Sequence, residues 1–301
     1  MSDNFFGIKR TINFMESVSG LRKQAQEIQE SLESDSGLIW MEGVSEDILQ
    51  NNSSKWFLAF SQMIGTPISQ STQGELIFNV RDEAYGKQDN RTRGPNTNRK
   101  LGFHTDRCDV IGFLCLQPAK VGGENQVVSS PEIEKIISQE RPDLLQILRK
   151  PFPYKRHVVD LGNELPFCEQ PIFSMCEGFF ACSYLRVLID RADADPDCPS
   201  LTCNQKEALD YLDSVTARET LQAHFTLKRG DLLFLNNWTT LHRRTAFEDF
   251  KQKNKRRHLL RVWLSSSKSR PLDECFRANF GSVEAGAIRG GMKSPSSPSS
   301  L

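Results

Sequence analysis

The chain has 301 residues, 38% hydrophobic and 25% charged, which fits one large soluble domain with a sizeable core. Its 38 basic and 38 acidic residues cancel, so no global field collects nucleic acid or an anionic membrane. The longest uncharged apolar stretch, Val110–Ala119, is far short of the ~20 residues a bilayer helix needs. Residues Met1–Arg10 carry no secretory pattern, and the expected location is cytoplasmic.

In chain order, Phe14–Glu33 places Val18, Leu21, Ala25, Ile28 and Leu32 at helical spacing and reads as an amphipathic helix stopped near Ser36-Gly37. Gly37–Met41 reads as a short strand, Ser53–Ile64 as a second helix and Gln73–Val80 as a strand. Arg81–Lys100 is a polar loop rich in Asn, Arg, Gly and Pro, a length that in a compact domain marks function or disorder. Asp109–Leu116 is an apolar strand, Gly122-Gly123 a turn and Gln126–Ser130 a strand. Ser130 is the expected cap of a helix with Pro131 as its first residue, and helical pattern continues through Pro142–Arg149. Pro171–Met175 and Phe179–Leu185 read as strands around Glu177-Gly178. Leu201–Thr216 is a helix with Thr202 as cap. Leu227–Asn237, entered through an Arg229-Gly230 turn, and His258–Ser265 are strands. The pattern gives an α+β fold on a β-barrel or double-sheet jelly roll. Residues 1–291 form the expected single domain, and the Ser/Pro-rich 292–301 a disordered tail. The eight cysteines contain no Cys-x-x-Cys and read as buried reduced thiols, with a Cys198/Cys203 zinc site the remote alternative.

The chemistry concentrates in three places. His104 and Asp106, two apart, point to one face of an extended chain and can converge on one ion. His242 follows a glycine turn and an apolar strand. Alone, either histidine has an ordinary structural reading. Together the three supply two imidazoles and a carboxylate, the facial triad of non-haem Fe(II) oxygenases. On His258–Ser265 and the residue before it, Arg257 and Arg261 share one face, opposite His258, Leu260, Val262 and Leu264. Two guanidinium groups on a barrel strand require anions, or else lie on an exposed edge. The basic run Lys251–Arg257 reads as a solvated loop.

The ordered set His104-x-Asp106, Gly230-Asp-Leu-Leu-Phe-Leu-Asn-Asn, His242-Arg-Arg-Thr-Ala-Phe and Arg257-x-x-x-Arg261 resembles the taurine dioxygenase-like (TauD/TfdA, clavaminate synthase-like) family. Gln117–Glu124 resembles the Gly-Gly turn that follows its His-x-Asp region. The resemblance covers residues 10 to 291, most clearly 101 to 264. It implies a double-stranded β-helix, or jelly-roll, core with flanking helices. It implies Fe(II) held by His104, Asp106 and His242, with 2-oxoglutarate and O2 as cosubstrates. Arg257 would hold the distal carboxylate of 2-oxoglutarate, and Arg261 would lie near the primary-substrate pocket. Asn125 stands where some relatives use a Thr to bond 2-oxoglutarate. Asp106 fills the position that related halogenases leave open, and Arg257 differs from the Lys usual in JmjC-type enzymes.

The resulting expectation is a dioxygenase that hydroxylates a C–H bond of a small acidic or amino-acid-like molecule. Candidate substrate residues are Arg261, Arg81, Asn96, Asn98, Tyr184, Arg186 and Trp238; Tyr184 and Trp238 have core- or lid-packing alternatives, and the Asn residues turn-shaping ones. Arg261 has two readings: it faces an acid on the substrate, or it pairs internally with Glu248 or Asp249. Two other classes share parts of the pattern, a metal-binding jelly-roll protein without oxygenase activity and a protein-modifying oxygenase.

Overall fold

The computed structural model describes residues 18–85, 94–156 and 165–292. The order is α1 (Val18–Ser34), β1 (Leu38–Met41), α2 (Glu46–Asn51), α3 (Ser53–Ile64), β2 (Thr66–Ile68), β3 (Ile77–Val80), β4 (Val110–Gln117), β5 (Val121–Gly122) and β6 (Asn125–Ser129). Then come α4 (Ser130–Glu140), α5 (Pro142–Leu148), β7 (Phe152–Lys155), β8 (Phe167–Gln170), β9 (Phe173–Cys176), β10 (Phe179–Cys182), α6 (Arg186–Asp193) and α7 (Cys203–Thr216). The chain closes with β11 (Ala223–Phe225), β12 (Leu232–Asn236), β13 (Thr240–Arg244), β14 (Phe247–Glu248), β15 (His258–Ser265) and α8 (Arg277–Phe280).

Two sheets organise the molecule. The larger has six strands in the order β1-β12-β4-β15-β2, with β3 also paired to β15. The smaller is β11-β6-β13. Alternation along the strands sorts the apolar side chains. Val110 and Leu114 of β4, Leu232 and Phe234 of β12, and Leu260, Val262 and Leu264 of β15 pack under α1 and α3. Ile111, Cys115, Leu233, Leu235, Leu259 and Trp263 point the other way and meet Val127 and Phe225 of the smaller sheet. A period of two permits this, because one strand then serves two layers. The outer face of the smaller sheet, through Val128 and Leu241, packs on Ile133, Leu145, Leu148, Leu209 and Leu212 of the helical layer. Among the described residues, no helix is long and apolar enough to cross a membrane.

Local chemistry explains where the expected boundaries move. The Ser129 hydroxyl, not that of Ser130, accepts the Glu132 N–H and caps α4, so Ser130 is already helical. Both serines have capping chemistry, and the end of the β6–β13 ladder at Ser129 decides between them. Thr202 and Gln205 form a reciprocal capping box at α7, as expected from Thr202. The strand expected from Leu227 starts only at Leu232, because Lys228–Asp231 is a turn closed by the Asp231 carboxylate on the Lys228 N–H. The strand expected to run to Leu185 ends at Cys182, and Arg186 opens α6 with an i,i+4 pair to Asp190. The strand expected from Gln73 is confined to Ile77–Val80. α2 and β2 escaped notice because each is too short for a periodic signal. Residues 14–17, the middle of the polar loop and the tail from Lys293 lie outside the described residues.

Candidate active site

The site forms where the middle of β13, at His242, meets an extended segment ahead of β4. His104 and His242 exchange two backbone hydrogen bonds, His104 N–H to His242 O at 3.0 Å and the reverse at 3.1 Å. Their rings sit 4.4 Å apart between centroids. The next residue is held on the other side. Thr105 N–H donates to Tyr184 O at 2.7 Å, and Tyr184 N–H donates to Thr105 Oγ1 at 2.9 Å. Asn237 then grips Asp106: its Oδ1 accepts the Asp106 N–H at 2.8 Å, and its Nδ2 donates to Asp106 O and Cys108 O. The His-x-Asp segment is therefore not a ladder strand. It is an extended piece clamped by β13, Tyr184 and Asn237.

One ligand atom from each of His104, Asp106 and His242 lies within 4.8 Å of the others. His242 Nε2 is 3.6 Å from Asp106 Oδ2, and the two side chains are only 11% and 12% exposed. Asp106 Oδ2 and His242 Nδ1 are buried without a hydrogen-bond partner. An orphaned carboxylate oxygen in a buried site is costly unless a cation completes it, so the residues fit a metal ion. His104 Nδ1 lies 2.9 Å from Gly102 O, and an N–H there leaves Nε2 with its lone pair. Burial first, then the neighbouring His242, hold the His104 imidazole down to about 4, a neutral ring suited to ligation. For Asp106, burial raises the carboxyl. Arg261, His242 and His104 together outweigh it and keep the group below the usual carboxylate range.

Arg261 enters the same chamber. Its Nη1 is 3.7 Å from Asp106 Oδ2, and its Nε donates to Gln70 Oε1 at 2.7 Å. Gln70 is 1% exposed and donates back to Arg261 O at 2.9 Å. The guanidinium lies about 5 Å from the Phe78 and Trp263 ring centroids. The internal partner is thus Asp106, not Glu248 or Asp249. Asp249 instead accepts the Arg257 backbone N–H at 2.7 Å.

Arg257 sits just before β15, whose register shifts between His258 and Leu259. It is 4% exposed, its Nη1 is buried without a partner, and it lies over the Phe247 ring at 5.1 Å. Burial lowers its guanidinium to about 10. Arg257 and Asn125 line one small cavity with Cys115, Gly123, Leu227 and Leu259. Gly123 has φ +72°, and a Cβ there would lie 3.3 Å from Arg257 Nε, so the glycine turn makes room for this side chain.

Of the remaining candidates, Tyr184, Arg186, Trp238 and Arg81 are committed elsewhere, whereas Asn96 Oδ1 is buried without a partner. Tyr184 is fully buried in the helical-layer core, and its OH donates to Asp213 at 2.6 Å. Arg186 pairs with Asp190, Asp210 and Asp213. Trp238 is fully buried, donates to Asp109 at 2.8 Å and packs against Phe276 and Phe280. Tyr184 and Trp238 side chains are therefore packing elements, and Tyr184 serves the site through its backbone. Asn98 is exposed, its carbonyl bound by the Phe247 N–H, and Arg81 is paired with Glu83. The Asn96 carbonyl accepts the Glu83 N–H. Gln70, Phe78 and Asn237 were missed as site residues. Asn237 lies inside the quoted Asn-Asn motif, whereas Gln70 carries no local signal.

The buried two-histidine, one-carboxylate cluster between two facing sheets fits a single metal ion of the kind non-haem oxygenases hold. The family model for "Taurine catabolism dioxygenase TauD, TfdA family" matches residues 3–263, and the chain belongs to that family. FR-33289 synthase of Streptomyces rubellomurinus (strain ATCC 31215) is 30% identical over 249 residues, covering 80% of this chain and 72% of that protein. Asparagine oxygenase, solved with Fe(II), 3-hydroxyasparagine and succinate, shares the fold at TM-score 0.61 and 16% identity over 82% of this chain and 79% of that one. The non-haem iron oxygenase OrfP, solved with Fe and alpha-ketoglutaric acid, does so at TM-score 0.57 and 16% identity over 82% and 80%. The chain is an Fe(II)- and 2-oxoglutarate-dependent dioxygenase, with O2 as its second cosubstrate.

Proposed function

We propose that His104, Asp106 and His242 hold the iron, that Arg257 and Asn125 hold 2-oxoglutarate, and that Arg261 receives an acidic group of a small amino-acid-like substrate, which is hydroxylated. The observation that carries this reading is the orphaned acceptor Asp106 Oδ2 inside the three-residue cluster, with His242 Nε2 3.6 Å away. Bound iron with 2-oxoglutarate and O2 supplies an oxidant strong enough for an unactivated C–H bond, with succinate and CO2 as products. The protein's residues position and shield. The Gly102 carbonyl orients His104, Asn237 holds Asp106 by both backbone groups, and Phe113 meets the His242 ring edge-on at 6.3 Å. Gln70 and the Phe78 and Trp263 rings hold the Arg261 fork. The two facing sheets support a double-stranded β-helix. The eight free thiols agree with a reducing compartment, and the neutral charge with a small-molecule partner rather than nucleic acid.

The acidic substrate follows from Arg261. Its partners are one neutral amide, two rings and a carboxylate that a bound metal would compete for. A buried guanidinium so placed has capacity for a second anion. The test is succinate formation with Fe(II) and 2-oxoglutarate across amino acids, sulfonates and other small acids, repeated with Arg261→Ala. The variant is expected to lose substrate affinity and keep slow, uncoupled 2-oxoglutarate decarboxylation. A preferred substrate without an acidic group would overturn the assignment of Arg261 and leave the metal assignment standing.

A further inference from the structure

A second arginine approaches the cosubstrate end of the chamber. Arg244 is two residues beyond His242 on β13, so both side chains leave the strand on one face. It lies directly across the ladder from Asn125, and Asn125 lines the cavity that also holds Arg257. Arg244 is 5% exposed and sits 4.6 Å from the Phe247 ring centroid, the same ring that carries Arg257 at 5.1 Å. Its Nη1 and Nη2 donate to two backbone carbonyls, Thr245 O at 3.3 Å and Thr97 O at 2.8 Å. Among the described residues, neither Arg244 nor Arg257 has a carboxylate within ion-pair distance. Two buried cations sharing one phenyl ring repel each other; neutral carbonyls do not offset that, and the Asp249 carboxylate acts on both only from beyond ion-pair distance. The arrangement becomes favourable when an anion enters between or beside them.

We propose that Arg244 is a second binding residue for the distal carboxylate of 2-oxoglutarate, so that this end of the cosubstrate meets a two-guanidinium cradle of Arg244 and Arg257 over Phe247. The placement follows the molecule's own length. The chelating end lies at the metal cluster beside His242. One residue pair further along the same face of β13, about 7 Å at ~3.3 Å per residue, lies Arg244. The cradle also links cosubstrate to the polar loop, because the Arg244 fork holds Thr97 O while its backbone carbonyl accepts the Leu101 N–H at 3.0 Å. The inference rests on the assignment of Arg257 to that carboxylate.

The test is calorimetric binding to the full chain loaded with Zn(II) in place of Fe(II), comparing 2-oxoglutarate with 2-oxobutyrate, which keeps the chelating end and lacks the distal acid. Arg244→Gln is expected to weaken 2-oxoglutarate at least tenfold and leave 2-oxobutyrate within twofold. Arg257→Gln is expected to show the same discrimination, more strongly. Wild-type affinity in Arg244→Gln, or equal losses for both acids, overturns the proposal and makes Arg244 only a strut for the Thr97–Leu101 segment. If Arg257→Gln discriminates and Arg244→Gln does not, the Arg257 assignment survives alone. If neither does, both fall. Should Arg244→Gln fold poorly, Arg244→Lys carries the test. It keeps a charge and loses the fork, and its preference for 2-oxoglutarate over 2-oxobutyrate should fall severalfold; an unchanged preference overturns the proposal.

Discussion

Two buried arginines in this protein live in opposite surroundings. Arg289 and Asp109 form an ion pair with both side chains 0% exposed. Arg289 Nε donates to Asp109 at 2.7 Å and Nη2 to Arg270 O at 2.9 Å, and the guanidinium lies over Trp238. Asp109 also accepts from Trp238 Nε1, the Ser265 hydroxyl and the Ser266 N–H. Arg257 is almost as buried, yet its nearest ring is Phe247 and its Nη1 has no partner. A buried charge whose counter-charge comes from the chain, as Asp109 does for Arg289, belongs to the fold. A buried charge whose donors point at no chain acceptor belongs to a ligand that has yet to arrive. Asp106 shows the same contrast among carboxylates: it lies three residues from Asp109, and its Oδ2 is orphaned.

The two carboxylates give the sharpest break. Asp106→Ala removes a proposed metal ligand and should nearly abolish turnover and lower bound iron, while the protein stays folded. Normal iron content and hydroxylation in that variant would show the cluster is misassigned. Asp109→Ala should do the reverse. It leaves Arg289 buried without its counter-charge, a loss of about 3–5 kcal/mol, visible as a large fall in the urea midpoint. A small fall would mean that the pair is not structural.

A smaller effect separates the arginines. Arg257→Ala should raise the KM for 2-oxoglutarate more than tenfold, from the ~2–5 kcal/mol expected for a buried charged partner, with little change in melting temperature. Arg256→Ala, on the other side of the chain, should change neither. Equal effects on KM would show that the register before the bulge is misread. The smallest change is Tyr184→Phe, which deletes one hydrogen bond to the partly exposed Asp213 and should cost about 1 kcal/mol of stability. Its 2-oxoglutarate KM should match wild type, and an altered KM would return the Tyr184 side chain to the site.

The His-x-Asp pair and β15 were legible in one dimension because each rests on short-range rules. Two residues apart on an extended chain share a face, and from Leu259 onward β15 sends Leu260, Val262 and Leu264 to one side and Leu259 and Trp263 to the other. Ser53–Ile64 was equally plain, since its apolar spacing and its ends lie within one local pattern.

Side-chain direction was not local. Tyr184, Arg186 and Trp238 carry suitable chemistry for a pocket, but the β9–β10 hairpin ends at Cys182 and the turn after β12 sends Trp238 to Asp109. Gln70 reaches Arg261 across 191 residues of sequence, a pairing set by β2 and β3 flanking β15. Composition and spacing by themselves determined which residue types could hold a metal and a dicarboxylate. Only the tertiary structure decided which buried charges are already neutralised, because that depends on partners brought from distant segments by sheet register, and no local pattern encodes it.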